Sequence, residues 1–280
     1  MFVIAAIVLV ALVLGSIFDI RTREVPDWLN YSLIFIGLGV RAIYSAVESD
    51  WMFLAYGLVG LAAFVIVALA MFYTGVWGGG DSKLLMGIGA LIGMEFSTDS
   101  FLLVFLVNLF AAGAVYGFFW VLMMAFKHRK KLFEECRKLL AQKANRIVRC
   151  VLIALLFISM LSTLLVREIG LKIIILALAI IFFMTYYLWV FVKSVENISM
   201  LKFIQPNKLT EGDWIAKDIV VKGKTICGPK DLGISKEQIA QLIKLKVKNV
   251  LVKEGVPFVP SFLLGFIASL LWGAWWLRFF

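Results

Sequence analysis

Charge is scarce in this chain of 280 residues: 16% are Asp, Glu, Lys or Arg, 62% are apolar, and the mean hydropathy is +0.98. Soluble domains of this size carry more charge and less apolar surface, so a soluble enzyme and a disordered scaffold are excluded. Histidine is nearly missing too. The single one, His128, sits in the basic stretch KHRKK, there is no HExxH, and a Ser–His pair has no plausible base. The three cysteines, Cys136, Cys150 and Cys227, contain no CxxC pair, which leaves no zinc site and no disulfide framework. The ten-residue alternation of barrel strands is also absent. At the start, Met1 to Phe18 lacks the basic stretch and small-residue cleavage pattern of a signal peptide, so it reads as a retained first helix.

What the chain has is long apolar runs. After the first come runs at 28–47, 52–74, 83–94, 101–126, 150–166, 171–192 and 257–277, the fourth short and glycine-rich. Runs near 20 residues are of helix-spanning length. The expected fold class is therefore an all-α polytopic membrane protein of six to eight transmembrane helices, eight favoured, with a small α+β insert. Residues 1–126 form the transmembrane core, 127–149 a basic loop or interfacial helix, 150–193 an additional helix pair, 194–256 the soluble insert and 257–280 the final helix.

The net charge of +10 would suggest nucleic acid in a soluble protein, but here the basic residues cluster in particular loops. Segment 127–149 holds nine Lys/Arg against two Glu, and 193–256 holds twelve basic against seven acidic residues. Opposite them lie Arg41, Arg167, Lys172 and Arg278 with Glu48, Asp50, Glu95, Asp99 and Glu168. The positive-inside rule then places the N-terminus outside and residues 19–27, 75–82, 127–149 and 193–256 in the cytoplasm. The lipid bilayer is the expected surrounding and nucleic acid is not an expected partner. Segment 127–149 reads either as an amphipathic helix on anionic headgroups or as an ordinary positive-inside loop. In 194–256, Ser235 to Gln238 has capping-box spacing ahead of Ile239, Leu242 and Ile243, while WIAKDIVV and KNVLVKEG read as short strands.

Among so few charges, two aspartates stand out. Asp19 closes the first run in SIFDIRTREVPDW, and Asp81 follows Gly78, Gly79 and Gly80 in VWGGGDSKLL. The topology puts both at the cytoplasmic boundary, where they can face each other across 62 positions of sequence. The glycines would allow positive φ and close backbone approach. Taken singly, each aspartate has a plain structural reading: Asp81 as a helix N-cap, Asp19 in an ion pair with Arg21 or Arg23. As a pair they suit acid–base chemistry, because adjacent carboxylates share a proton; one takes a proton from water while the other donates to a peptide carbonyl.

These residues resemble a known family. GGGD at Gly78–Asp81 matches the GxGD signature of membrane aspartic proteases, and Asp19 in DIRTREVPDW resembles the first catalytic motif of prepilin peptidases. The chain is most similar to the archaeal preflagellin and type IV prepilin-like branch, best over residues 1–126, and Lys253 to Gly265 resembles the stretch leading into the final helix of archaeal members. The resemblance implies Asp19 and Asp81 as the catalytic pair and Gly78 and Gly80 as motif glycines. It implies a substrate with a short basic leader ahead of a hydrophobic segment, cut on its cytoplasmic side. The paired CxxC loop of methylating bacterial members is missing, which implies no methyltransferase activity, no metal and no cofactor. Glu24 and Asp27 are candidate partners for a basic leader, beside the plainer reading of pairing with Arg21, Arg23 or Lys83. Pro257 and Pro260 are candidates for lining an extended substrate, beside the plainer reading of a stiff helix entry. Residues 127–193 exceed the six-helix plan and would bind a pilus or archaellum component or stabilise the fold. Two non-enzymatic readings stand against the peptidase: a transporter using intramembrane carboxylates, and an assembly scaffold.

Overall fold

A computed structural model describes residues 2–97, 100–221 and 223–276; Asp99, Arg278 and the end of the last apolar run lie outside the described residues. The order is α1 (Phe2–Thr22), α2 (Asp27–Glu48), α3 (Trp51–Tyr73), α4 (Gly79–Ile92), α5 (Phe101–Lys127), α6 (Arg129–Ala141), α7 (Lys143–Leu165), α8 (Ile169–Ser199), β1 (Leu201–Ile204), β2 (Ile219–Val221), β3 (Lys224–Cys227), α9 (Lys236–Lys244), β4 (Val250–Lys253) and α10 (Val259–Trp272). Helices α1, α2, α3, α5, α7 and α8 are apolar and 21 to 31 residues long. At about 1.5 Å per residue each reaches the roughly 30 Å of a bilayer's hydrocarbon. The chain is a multi-pass membrane protein.

Among the described residues six helices, rather than the favoured eight, are long and apolar enough to cross. The runs at 83–94 and 257–277 become α4 and α10, of 14 residues each. Backbone chemistry limits both. Helix α4 starts on Gly79 and stops at Gly93, whose φ is 71°, while α10 carries a proline in its first turn and stops at Gly273, with φ 55°.

The chain divides into two compact units, Met1–Phe119 with Phe203–Phe280, and Trp120–Lys202. In the first, α4 is enclosed by α2, α3 and α1, and Leu84, Leu85, Ile88 and Leu91 are fully buried on it. Small residues permit this. A Cβ on Gly89 would lie 2.5 Å from the carbonyl oxygen of Gly60, so α3 and α4 touch backbone to backbone. In the second unit α6 and α7 pack with α8, and Asn197 donates to Glu135 at 3.0 Å. The outer faces of α7 and α8 are apolar and exposed, as lipid-facing helices are.

The α+β region has its own core of Leu209, Ile215, Cys227, Ile234, Leu242, Val250 and Val252. Strands β2 and β3 pair antiparallel with Ile219 opposite Cys227, and β1 and β4 form the other two-stranded sheet. Ser235 accepts from the Gln238 amide at 3.3 Å and the Gln238 side chain accepts from the Ser235 amide at 2.9 Å, closing a capping box on α9. Ile243, expected on the inner face, is half exposed; Ile239 and Leu242 carry the packing.

Candidate active site

Asp19 lies in the last turn of α1 and is 5% exposed. Its Oδ2 accepts from the backbone N–H of Val259 at 2.9 Å, the first residue of α10. Pro260 follows Val259 in that first turn, a position where proline's missing N–H removes no helix bond. The free amide of a helix N-terminus thus meets a carboxylate, the arrangement that helix dipoles favour. Arg23, one turn past Asp19, takes a left-handed backbone with φ 62° and ends the helix there, and its guanidinium donates to the Gly255 carbonyl at 3.4 Å.

Asp81 is the third residue of α4, not its N-cap as the local pattern suggests. Gly78 is the N-cap, and Asp81 Oδ2 accepts from the Gly78 amide at 3.3 Å. The carboxylate therefore folds back on the helix start instead of preceding it. None of Gly78, Gly79 and Gly80 has positive φ, so left-handed backbone does not account for the triplet. Close approach accounts for one member: a Cβ on Gly80 would lie 3.1 Å from the Val25 amide nitrogen, in the α1–α2 loop. A Cβ on Gly78 would meet only Asp81 Oδ2, at 3.8 Å.

The charges of Asp19 and Asp81 lie within electrostatic reach of each other, and Tyr116 of α5 lies within reach of Asp19. Both aspartates are also tied to the start of α10. Asp19 is held through Val259. The loop before Asp81 is held through Trp77, 2% exposed, whose ring packs on Phe258 and Phe262 with centroids 5.9 and 5.1 Å away and stacks on Phe110 at 6.1 Å. Sequence reasoning passed over Trp77, although a tryptophan directly before a glycine run was its signal.

Arg41 was passed over as well, counted only as a loop charge. It is 2% exposed, donates Nε to Leu91 O at 3.0 Å and its other nitrogens to Ile92 O and Phe53 O at the C-terminus of α4 and the start of α3, and lies 4.3 Å from the Phe53 ring centroid. A lone arginine within an apolar run was the available signal.

The candidate substrate carboxylates have partners. Asp27, the first residue of α2, forms an ion pair with Lys83 of α4 at 2.6 Å, and Glu24 accepts from the Thr210 hydroxyl at 2.8 Å. Pro257 is buried and Pro260 sits in the first turn of α10, as a stiff helix entry requires.

Fold and site together define a polytopic helical membrane protein with a paired-carboxylate centre where two helix ends meet. Residues 6–118 of the chain match the type IV leader peptidase family. It is similar to the preflagellin peptidase of Methanocaldococcus jannaschii, 36% identical over 91 residues that make up 32% of this chain and 37% of that protein. It is similar also to the preflagellin peptidase of Methanococcus maripaludis, 37% identical over 82 residues, 29% of this chain and 35% of that one. The match thus spans little more than a third of these relatives' length. No solved structure matches the chain.

Proposed function

We propose that the protein is a membrane aspartic endopeptidase that removes the short basic leader from prepilin- or preflagellin-type precursors at the cytoplasmic membrane face, without methyltransferase activity. The observation that carries this reading is the pair itself: Asp19 and Asp81, 62 positions apart, come within electrostatic reach at two helix ends, each with one oxygen held by a backbone amide. Carboxylates so placed hold one proton between them. The ionised member takes a proton from water, the resulting nucleophile attacks the scissile carbonyl carbon, and the protonated member donates to the carbonyl oxygen. Collapse of the tetrahedral species passes a proton to the departing amine. The residues that match the type IV leader peptidase family include both aspartates, and the relative from Methanocaldococcus jannaschii is a preflagellin peptidase.

The cytoplasmic placement rests on the basic loops at 127–149 and 193–256. Glu24, in the loop after α1, and Asp27, the first residue of α2, attract the basic leader. The substrate's cations would compete with Lys83 for Asp27 and with Thr210 for Glu24. Gly78 and Gly80 seat Asp81, and Pro257 and Pro260 shape the segment that carries the Val259 amide. Residues 127–193 are a docking place for pilus or archaellum assembly components.

Purified protein in proteoliposomes with a prepilin or preflagellin, followed by mobility shift, tests the reading. Asp19→Asn and Asp81→Asn should each abolish cleavage while the helical content is kept. Retained cleavage in either folded variant, or loss of cleavage on adding a metal chelator to the unaltered enzyme, refutes the metal-free dyad. No cleavage at all by the unaltered protein would return the choice to the transporter or scaffold.

A further inference from the structure

In the unit formed by residues 120–202, α6 turns into α7 at Gln142, and the turn is fixed from inside. Asn145, buried, donates its side-chain amide to Leu139 O at 2.8 Å, and its own carbonyl accepts from the Tyr186 hydroxyl at 3.1 Å. The bend leaves a groove of about 420 Å³ lined by Phe133, Cys136, Arg137, Leu140 and Ala141 of α6 and by Arg146 and Arg149 of α7. The α6 residues follow 3–4 spacing, so they form one face, apolar except for Arg137. Arg146 and Arg149, one turn apart on α7, line the same groove, and the Arg146 guanidinium donates to Ala141 O at 3.4 Å. Among the described residues no carboxylate forms an ion pair with Arg137, Arg146 or Arg149; Glu135 meets Lys138 and Asn197, and Glu134 lines an adjoining cavity with Arg137 and Lys138 rather than this groove.

Three arginines thus line a half-apolar groove that no carboxylate lines. The groove opens where the apolar run of α7 begins, with Ile147, Val148 and Val151 exposed beside it. A bidentate guanidinium suits phosphate oxygens, and the apolar floor suits the glycerol and first methylenes of a lipid. Basic pockets beside membrane helices take anionic headgroups for the same reasons. A soluble polyanion would use the arginines and leave Phe133 and Leu140 bare. We infer that the α6–α7 groove is a binding site for the phosphate headgroup of an anionic membrane lipid, held by Arg137, Arg146 and Arg149. The inference is independent of the dyad assignment.

Native mass spectrometry of the full chain, released from mixed micelles of phosphatidylglycerol and phosphatidylcholine, tests it. The unaltered protein should retain phosphatidylglycerol selectively, and Arg137→Gln/Arg146→Gln/Arg149→Gln should lower that retention at least about tenfold. Lysine at the same three positions should restore part of it, and the control Lys130→Gln/Lys131→Gln, on exposed α6 positions, should keep it. Helical content by circular dichroism verifies that each variant is folded. Equal retention of both lipids, equal loss in the lysine control, or displacement by millimolar inorganic phosphate would overturn the inference, the first two in favour of a diffuse surface charge and the last in favour of a free-anion site.

Discussion

The guanidinium of Arg41 answers for carbonyls that no helix bond satisfies. At 14 residues α4 is about 21 Å long, shorter than the hydrocarbon layer, so its last carbonyls would otherwise lie unpaired among apolar side chains. Arg41 fills the place where Gly57 and Gly93 leave room, since a Cβ on either would collide with it. Arg41→Met is expected to cost about 2–4 kcal/mol, because it strips donors from buried acceptors. Arg41→Lys, which keeps the charge and loses the fork, should recover only part, as read by thermal unfolding in detergent. A second expectation concerns the motif glycines. Gly80→Val would press on the Val25 amide and move Asp81, while Gly78→Ala meets nothing closer than 3.8 Å at an ordinary φ of −71°. Cleavage should fall sharply in the first and little in the second. An equal loss in both would show that Gly78 matters for something other than space.

At the scale of elements, the start of α10 joins the two halves of the candidate site. Trp77→Ala should destabilise the protein by about 3–5 kcal/mol and lower cleavage of a precursor, because the aromatic cluster that seats the loop before Asp81 loses its centre. Asp19 and Asp81 could be singled out from the sequence as a candidate pair, since each belongs to a short local pattern, and the structure brings their charges within reach of each other. The amide of Val259 was not: a backbone donor leaves no mark in composition, and nothing in KEGVPFVPS says which N–H will be free. Arg41 was visible only as a charge, because its meaning lies in carbonyls 50 positions away. The long runs announced α1, α2, α3, α5, α7 and α8, whereas the favoured count of eight also included the short, glycine-rich run of α4 and the run of α10; the glycines and proline that bound these two helices weigh little in hydropathy. The α+β region was legible as composition and as a capping box, its strand pairing only in the structure.

At the scale of the molecule, the α+β region is fastened to loops beside both aspartates. Thr210 bonds Glu24, and Trp214 lies against Gly75, where φ is 71° and a Cβ would meet the indole at 2.9 Å. Asp213 sits at this seam. Burial raises its carboxyl above the ordinary 3.8, the charges of Glu24 and Glu254 push the same way, and its bond from the Thr210 amide pulls back. A carboxyl that holds its proton more tightly when folded binds more protons than the unfolded chain from about that ordinary value upward. Stability therefore declines as pH rises through this window and keeps the penalty at neutral pH. Asp213→Asn should raise the unfolding midpoint at pH 7, change it least near pH 3.5, and flatten the curve between, as followed by thermal melts in detergent across pH.

The bond between Asp19 and Val259 links residues 240 positions apart, and this bears on how the protein comes into being. A ribosome makes α1 and α4 long before α10, so both aspartates exist while the amide that holds one of them is still unmade. The carboxylate pair is therefore fully held only once α10 has been made.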